Sequence, residues 1–215
     1  MAEFGWNPRR LTAVKPELPE GMSPPGTRGR ILHAALGLFA EYGFHGTSIR
    51  DLAAAVGINS ATLYSHYPAK EDILASLIEL GHSGLVAGLR TALSTVDDSP
   101  ARQLAALVRA QVLMHADYPL LALVANTELH ALSPEKAASS LALREQARAL
   151  LYDVLRRGVA AGEFDAATDP ILAGIAIGSM GVRVATWFGP DQPYAREQVA
   201  DTFAVYALRL VGSKH

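Results

Sequence analysis

The side chains best suited to bind another molecule lie between positions 60 and 70. This segment, SATLYSHYPAK, carries hydroxyl, phenol, imidazole and ammonium groups, and Leu63 is its only aliphatic side chain larger than alanine. These groups can donate and accept hydrogen bonds or pair with an anion, but they bury little apolar surface. We therefore expect the segment to face a polar partner outside the protein rather than the core.

Two helical segments precede this stretch and must position it. In the first, apolar residues recur every three or four positions and Gly43 follows where a helix would stop. These apolar residues are Ile31, Ala35, Leu38, Phe39 and Tyr42. The second helix is predicted to begin at a cap formed by Thr47 and Ser48, with Asp51 in its first turn, and to end at Gly57.

The segment itself is predicted to be a short third helix. Ser60 can cap its start, Pro68 stops it, and Leu63 points inward. Two short helices joined by a tight turn that contains glycine, after a supporting helix, form a helix-turn-helix. The second helix of this motif lies in the major groove of DNA, with its first residues at the base edges.

The residue types around the third helix suit different parts of a DNA duplex. Ser60 and Thr62 are short donors and acceptors at the helix start, where the backbone approaches the bases. Arg50 is long and bidentate, which suits a guanine edge. The longer polar side chains, and the basic ones before the first helix, suit phosphates. They are Tyr64, His66, Lys70, Arg28 and Arg30.

The charge distribution favours anion binding in the N-terminal part of the chain. The formal net charge of the 215 residues is −2, but residues 1–70 hold seven Lys and Arg against five Asp and Glu. Residues 71–215 are acidic instead, with 12 basic against 16 acidic side chains. The chain has no cysteine, which excludes disulfide and thiolate chemistry and fits a cytoplasmic protein.

The remainder of the chain also has helical patterns, and we predict an all-α fold with almost no strand. Ser99-Pro100, Ser133-Pro134 and Asp169-Pro170 each place a capping side chain before a proline at the first helical position. The predicted helices cover residues 70–96, 100–115, 119–131, 134–161, 170–188 and 194–211. The apolar run 171–188 approaches the length of a membrane span, but Arg183 and three glycines interrupt it, which favours a buried helix outside any membrane.

Residues 28–75 resemble the DNA-binding domain of the TetR family of bacterial repressors. The similarity lies in four stretches whose order and spacing agree across three helices: RILHAALGLFAEYGF (30–44), GTSIRDLA (46–53), VGI (56–58) and TLYSHYPAKE (62–71). Tyr67 stands where the family commonly has phenylalanine. The resemblance implies a homodimer that leaves a palindromic DNA operator when a small molecule binds.

The same resemblance implies a division of the chain into three parts. Residues 1–26 are rich in proline and glycine and are interpreted as a flexible arm, with partial order against the body as the alternative. Residues 27–70 form the N-terminal three-helix helix-turn-helix domain. Residues 71–215 form a larger C-terminal helical domain for ligand binding and dimerisation.

Position by position, the resemblance also implies the DNA contacts. The residues that would face bases are Arg50, Ser60, Ala61 and Thr62. Those that would face phosphates are Thr47, Ser48, Tyr64, His66 and Lys70, and Arg28 joins them from its position before the first helix. His66 has an alternative role as a packed histidine between the third and fourth helices. Tyr67 is expected in the core.

The dimer is expected to form through helices 170–188 and 194–211, as in the family. Small residues at Ala173, Gly174, Gly178 and Gly181 allow a close helix approach. The second helix has an apolar stripe of Val199, Phe203, Tyr206 and Leu210. The alternative is that these faces pack within one chain, and both can hold for different faces.

A ligand pocket is expected among helices 100–131 and 134–188. The candidate lining residues are Met114, Tyr118, Asn126, His130, Tyr152, Met180, Arg183 and Trp187. Each has the alternative of ordinary core packing. Arg183 would pair with a carboxylate across the dimer or with an anionic ligand, because an unpaired charge in an apolar helix is costly. The stretches RRGV (156–159), GEF (162–164) and Trp187-Phe188 are similar to relatives that sense acyl-CoA or other lipophilic acids.

Two other functions remain open from the residues alone. A small helical enzyme would need a phosphate-binding loop, a nucleophile elbow or metal-spaced ligands, and the sequence contains none of these. We expect no metal site and no cofactor. A helical adaptor that binds only protein would keep its function after the substitutions Tyr64→Ala and Lys70→Ala together, whereas a repressor would lose its affinity for DNA.

Overall fold

The computed structural model describes residues 14–213, and within that range the chain is all-α, as predicted, with no strand. Nine α-helices follow one another in this part of the chain, with a short 3₁₀ helix, Leu129–Ala131, after the sixth. Their bounds are α1 Gly26–Gly46, α2 Ile49–Val56, α3 Ser60–His66, α4 Lys70–Ser94, α5 Pro100–Asp117, α6 Pro119–Thr127, α7 Pro134–Ala160, α8 Pro170–Trp187 and α9 Arg196–Leu210.

Prolines and capping side chains open the helices of the C-terminal part largely where they were predicted. The Ser99 and Asp169 side chains accept hydrogen bonds from backbone N–H groups in the first turns of α5 and α8. Ser133 occupies the N-cap position of α7 but makes no side-chain cap, so Pro134 alone marks that start. Helix α6 ends at Thr127, earlier than predicted, and only the 3₁₀ turn continues towards Ala131.

The first of two apolar cores does not end where the helix-turn-helix ends. It joins Leu32, Leu52 and Leu63 of α1–α3 to residues of α4 and α6. The α4 residues are Ile73, Leu74, Leu77 and Ile78, and the α6 residues are Leu120, Leu121, Val124 and Ala125. All of these side chains are buried. The predicted boundary at residue 70 therefore crosses a continuous core.

The second core lies among the other helices of the C-terminal part. It gathers Leu104 and Val112 of α5, Leu155 of α7, Ile177 of α8 and Ala207 of α9. Helix α4 contributes Leu89, close to its C-terminal end. Helix α4 is therefore shared by both cores and links the helix-turn-helix to the rest of the molecule.

The described part of the segment before α1 packs on the body, in line with an arm that is partly ordered against it. Leu18 and Pro19 are buried, and the Nδ1 atom of His33 lies 3.4 Å from the carbonyl oxygen of Pro16. Met22 reaches α4, where it lies beside Gly84. Its prolines restrict φ, which limits the number of backbone conformations that the segment can adopt. The rest of the predicted arm, residues 1–13, lies outside the described residues.

Two helices, α4 and α8, are long and apolar enough to cross a membrane by length and composition alone. Helix α4 takes part in both cores and α8 in the second, and the core helix of a protein outside any membrane passes the same test. The exposed apolar residues of α8 lie on one face, which is described below.

Candidate nucleic-acid interface and ligand cavity

Helix α2 is fixed at its start by a reciprocal pair of hydrogen bonds. The Ser48 side chain accepts from the backbone N–H of Asp51, and Asp51 Oδ2 accepts from the backbone N–H of Ser48 at 2.9 Å. The Ser48 hydroxyl also donates to Asp51 Oδ2 at 2.6 Å. These hydrogen bonds, first from the side chain and then from the backbone of Ser48, lower the pKa of the Asp51 carboxyl. The predicted cap is confirmed for Ser48.

The turn between α2 and α3 depends on Gly57 and Asn59. Gly57 has a φ of 71°, in the left-handed region that favours glycine. Asn59 is the cap of α3, because its side-chain oxygen accepts from the backbone N–H of Thr62 at 2.8 Å. The predicted cap at Ser60 is therefore one residue too late, and Ser60 is the first residue of the helix. Leu63 is buried and holds α3 to α1 and α2.

The residues predicted to face bases lie on the outer side of this motif. Arg50 on α2 and Ala61 on α3 are exposed, and Ser60 and Thr62 are half-buried. Tyr64, one turn after Ser60, is 49% exposed. These side chains form one polar surface, the α2–α3 face, which consists of Arg50, Ser60, Ala61, Thr62 and Tyr64.

Two of the side chains predicted to face phosphates make hydrogen bonds to the backbone of the protein, Thr47 from a buried position and Lys70 from a half-buried one. Thr47 is 2% exposed, and its hydroxyl donates to the carbonyl oxygen of Gly43 at 3.0 Å. The Nζ atom of Lys70 donates to the carbonyl oxygens of Phe44 and Thr47 at 2.6 Å and 2.7 Å. Lys70 also lies 4.1 Å from the centroid of the Phe44 ring, and burial lowers the pKa of its ammonium group. The carbonyls at the end of α1 that lack intrahelical partners accept hydrogen bonds from both side chains, which help to position α2. A phosphate contact of Thr47 or Lys70 stays a prediction.

The other predicted phosphate residues differ in how free they are. Ser48 is exposed, but its hydroxyl is engaged in the cap of α2. His66 is half-buried, which leaves both of its predicted roles open. Arg28 is exposed, with its guanidinium 4.7 Å from the centroid of the Tyr67 ring. Tyr67 is buried in the core, as predicted.

A cavity of about 780 Å³ lies between α4, α5, α7 and α8. Its apolar wall is formed by leucines and a valine, namely Leu85, Leu89, Leu107, Val108 and Leu151. Three guanidinium groups line it as well, from Arg144 and Arg148 on α7 and Arg183 on α8. All three arginines are exposed, so they mark the side where the cavity meets solvent.

The structure brings three of the eight predicted pocket residues to this cavity. They are Asn126, Tyr152 and Arg183. Met114 and Tyr118 pack against the first core, Met180 and Trp187 pack against the second, and His130 is exposed on the 3₁₀ turn. Met114, Met180 and Trp187 lie on helix faces that pack against the cores, while Tyr118 and His130 lie at or beyond helix ends, and periodicity alone reveals neither.

Sequence reasoning missed several residues that line the cavity. They include His82, Gln111, Arg144 and Arg148. The two arginines carry a signal that could have been used. They lie four residues apart on α7 and therefore share one face with Tyr152, a further four residues on. The Arg148 guanidinium lies 5.5 Å from the centroid of the Tyr152 ring.

Glycines on α8 allow side chains of other helices to line the cavity. A Cβ atom at Gly174 would lie 2.7 Å from Cδ1 of Tyr152 and closer still to another ring atom, and one at Gly181 would lie 2.8 Å from Cγ of Gln111. The amide of Gln111 donates to the carbonyl oxygen of Gly178 at 3.0 Å. These glycines therefore serve close contacts within the chain.

His82 is the most deeply buried ionisable group of the cavity wall. It is 4% exposed, and burial, followed by the charge of Arg144 and then His115, lowers its pKa to about 4. Burial also lowers the pKa of His115, the other histidine in this region. Both imidazoles therefore stay neutral at pH 7.

This lowered pKa predicts a loss of stability in mild acid. The unfolded chain takes up a proton on His82 below about pH 6.5, whereas the folded chain does so only near pH 4, so acid favours unfolding in that window. From the values for His82 alone, we expect the free energy of unfolding to fall by about 2 kcal/mol between pH 7.5 and pH 5. Urea denaturation at the two pH values measures it.

The variant His82→Phe should lose that share of the pH dependence, while His130→Phe, at an exposed histidine, should keep it. An equal pH dependence in His82→Phe and the wild type would contradict the assignment to His82.

No cluster of three or more His, Asp or Glu side chains with metal-binding geometry occurs between residues 14 and 213.

Comparison with known proteins assigns the fold to a family. The model of bacterial regulatory proteins of the tetR family matches residues 31–77. The model of the tetracyclin repressor-like C-terminal domain matches residues 97–211, which is more than half of the chain. The protein belongs to the TetR family.

Relatives extend over nearly the whole chain of this TetR-family protein. The helix-turn-helix-type transcriptional repressor KstR2 of Rhodococcus jostii is 27% identical over 190 residues, covering 88% of this chain and 93% of the relative. The fatty acid metabolism regulator protein of Bacillus subtilis is 28% identical over 175 residues, covering 77% and 85%. A crystal structure of a tetR-family regulatory protein from Rhodococcus RHA1 matches with a TM-score of 0.83 and 30% identity, covering 89% of this chain and 100% of that one.

These relatives are transcriptional regulators and not enzymes. The TetR-family protein is therefore a helix-turn-helix transcriptional regulator, and the prediction that it is not an enzyme is confirmed. The enzymatic and adaptor alternatives are not supported by any of these similarities.

The surface of α8 and α9 differs from the predicted dimer face. Ala173, Gly174 and Gly181 are buried within the chain, and so is Val199 on α9. The large apolar residues left exposed on these helices are Ile171, Leu172, Ile175, Val205, Tyr206 and Leu210. Ile171 and Leu172 are 61% and 66% exposed, a degree of exposure that is unfavourable for adjacent large apolar side chains. We call these six residues the α8–α9 face.

Proposed function

We propose that the protein is a repressor that leaves a palindromic DNA operator when an acyl-CoA or another lipophilic acid binds in the cavity. The observation that carries this proposal is the composition of the cavity. Its wall is aliphatic, and the guanidinium groups of Arg144, Arg148 and Arg183 lie on its solvent side. A ligand with an apolar body and an anionic head group matches this cavity, because the body would contact the aliphatic wall and the head group would pair with the arginines.

The arginines differ in how free they are to bind an anion. Arg148 forms an ion pair with Glu145, three residues earlier on α7. Within residues 14–213, Arg144 and Arg183 have no ion pair with a carboxylate. We therefore assign the main ionic contacts with an anionic head group to Arg144 and Arg183. The name of the relative from Bacillus subtilis, a fatty acid metabolism regulator protein, agrees with this ligand class.

The α8–α9 face supports a homodimer. Six large exposed apolar side chains on two neighbouring helices would lose contact with water in a two-fold interface. Such a dimer would present two copies of α3, and successive major grooves on one side of DNA lie about 34 Å apart. The α2–α3 face, with Arg50, Ser60, Ala61, Thr62 and Tyr64, would contact bases and nearby phosphates. A cytoplasmic location follows from binding to DNA.

Helix α4 would transmit the signal between the two sites. Its N-terminal half packs in the core of the helix-turn-helix, and Leu85 and Leu89 in its C-terminal half line the cavity. A ligand shifts an equilibrium only by its different affinity for the two states. A ligand that changes the position of α4 would therefore change the distance between the two copies of α3.

The proposal predicts that acyl-CoA releases the DNA. We would select an operator fragment from a random DNA pool with the wild-type protein and measure binding by fluorescence anisotropy. Octanoyl-CoA should lower the anisotropy, and Arg144→Ala/Arg183→Ala should raise the concentration needed by about 10-fold to 100-fold, since each lost charge-assisted hydrogen bond costs about 1.5–3 kcal/mol, partly screened at an exposed site.

The matched control is Arg102→Ala/Arg156→Ala, because both arginines are exposed and lie outside the cavity. This variant should respond to octanoyl-CoA as the wild type does. DNA that stays bound at every concentration of octanoyl-CoA and of free octanoate would refute the ligand class.

A further inference from the structure

His82 has an unusual environment for a buried polar side chain. It lies on α4 in the wall of the cavity and is 4% exposed. Neither of its ring nitrogens has a hydrogen-bond partner among the described residues, although both are buried. His115 does have a partner, since its Nδ1 atom lies 2.8 Å from the carbonyl oxygen of Gln111. Of the two buried histidines in this region, His82 is therefore the one whose ring lacks a partner.

An unpaired imidazole in an apolar wall destabilises the unliganded protein. Buried polar groups are nearly always paired in folded proteins, and each exception calls for a physical explanation. A neutral imidazole offers one N–H donor and one lone pair. Arg144 lies close enough to disfavour the charged form, in addition to the effect of burial. The missing partner is therefore a group that accepts a hydrogen bond from a neutral imidazole or donates one to it.

We infer that the ligand of this cavity carries a neutral oxygen, a carbonyl or a hydroxyl group, on its apolar part, and that this oxygen forms a hydrogen bond with His82. The inference rests on the proposed function, because it adds a second polar contact to the acyl ligand proposed there. The anionic head binds the arginines on the solvent side, while leucines surround the apolar part of the wall. A second charge there would be desolvated, whereas a neutral oxygen would gain a partner.

The same contact would make His82 part of the switch. Both ring nitrogens are covered in this structure, so the ring or a neighbouring side chain must shift before one nitrogen can meet the ligand. A hydrogen bond that exists only with ligand bound stabilises one state of α4 over the other. His82 is four residues after Ile78, which is buried in the core of the helix-turn-helix. We therefore assign His82 two roles, one in the specificity for the ligand and one in the response of α4 to ligand binding.

The test compares ligands that differ by one oxygen. Binding of octanoyl-CoA, 3-oxooctanoyl-CoA, 3-hydroxyoctanoyl-CoA and 8-hydroxyoctanoyl-CoA to the full-length protein is measured by isothermal titration calorimetry. We expect at least one oxygenated thioester to bind about tenfold more tightly than octanoyl-CoA, because it pairs a group that is otherwise unsatisfied. The ketone can only accept a hydrogen bond from the N–H of His82, whereas a hydroxyl group can also donate to its lone pair. Comparing the two therefore shows which of these groups meets the ligand.

Variants at position 82 assign the preference to this side chain. His82→Phe should discriminate less than about twofold between octanoyl-CoA and the oxygenated thioesters, whatever its affinity for octanoyl-CoA. His82→Gln keeps a donor and an acceptor and should retain part of the preference. If His82→Phe does not fold, His82→Leu replaces it. His130→Phe removes an exposed histidine outside the cavity and should keep the full preference.

Three outcomes would overturn the inference. Equal affinity of the wild type for all four thioesters refutes it while leaving the proposed ligand class intact. A preference that His82→Phe or His82→Leu retains assigns the oxygen to another residue. Failure of every thioester to bind refutes the inference together with the proposed ligand class.

Discussion

Replacing Arg50 and Tyr64 by alanine together should weaken binding to operator DNA by about 100-fold or more. Arg50 lies on α2 and Tyr64 on α3, and both are exposed on the α2–α3 face. A bidentate contact of an arginine with a base edge is worth about 1–3 kcal/mol, and a hydrogen bond to a charged phosphate about 1.5–3 kcal/mol. The two losses act in each protomer of a dimer, so the total effect is large. Fluorescence anisotropy at a fixed salt concentration measures it.

A matched control separates DNA contact from stability. Arg102 and Tyr194 are also an exposed arginine and an exposed tyrosine, but both lie in the C-terminal part. Arg102→Ala/Tyr194→Ala should bind the operator as the wild type does. Urea denaturation should give the same free energy of unfolding for both double variants within about 0.5 kcal/mol. Unchanged affinity in Arg50→Ala/Tyr64→Ala would exclude the α2–α3 face as the DNA surface.

The substitution Gly158→Ala should lower the free energy of unfolding by about 3 kcal/mol and the melting temperature by about 10 °C. A Cβ atom at Gly158 would lie 2.8 Å from Cγ of Phe164 and closer still to other ring atoms. Phe164 is buried in the second core. Its backbone N–H donates to the carbonyl oxygen of Gly158 at 3.1 Å, which holds the Phe164 backbone beside Gly158, and the surrounding core limits how far the ring can rotate away. Differential scanning calorimetry measures the loss.

Gly88→Ala is the control, because it makes the same chemical change at another helical glycine. No neighbouring atom lies within 4 Å of a Cβ atom at Gly88, so alanine should stabilise α4 by up to about 1 kcal/mol. The double variant Gly158→Ala/Phe164→Leu should lose less than the sum of its two single variants, since leucine removes ring atoms from the clash. A melting temperature of Gly158→Ala equal to that of the wild type would contradict this packing.

The helices and the family were predictable from the sequence because their signals are local. Proline at the first helical position, the capping box of Ser48 and Asp51, and apolar periodicity each act within a few residues. The cap of α3 was predicted one residue late, because Asn59 and Ser60 are both good caps and only the geometry after Gly57 selects Asn59.

The inward roles of Thr47 and Lys70 were not predictable, because their partners are backbone carbonyls at the end of α1. Lys70 is 26 residues from Phe44, whose carbonyl it contacts. A lysine near a predicted DNA-binding helix is expected at a phosphate, and the sequence contains no sign that α1 ends with free carbonyls beside it. Tertiary structure decides between the two roles.

The cavity was the least predictable part, because it forms where four helices leave space between them. Which face of α5 or α8 turns towards that space depends on how closely the helices pack. On α8, Gly174 and Gly181 were assigned to contact with a second protomer, whereas they accommodate Tyr152 and Gln111 of the same chain. The dimer contact is proposed instead for the larger side chains on the opposite side of the same helix.

The core that joins α1–α3 to α4 and α6 limits how the protein can be divided for engineering. A fragment that ends at residue 70 would leave Leu52 and Leu63 without the α4 side chains that cover them, and it should aggregate rather than fold. A chimera that joins this helix-turn-helix to the ligand-binding domain of another protein should therefore keep the first half of α4. The other protein must also supply apolar side chains that take the place of those of α6 in this core.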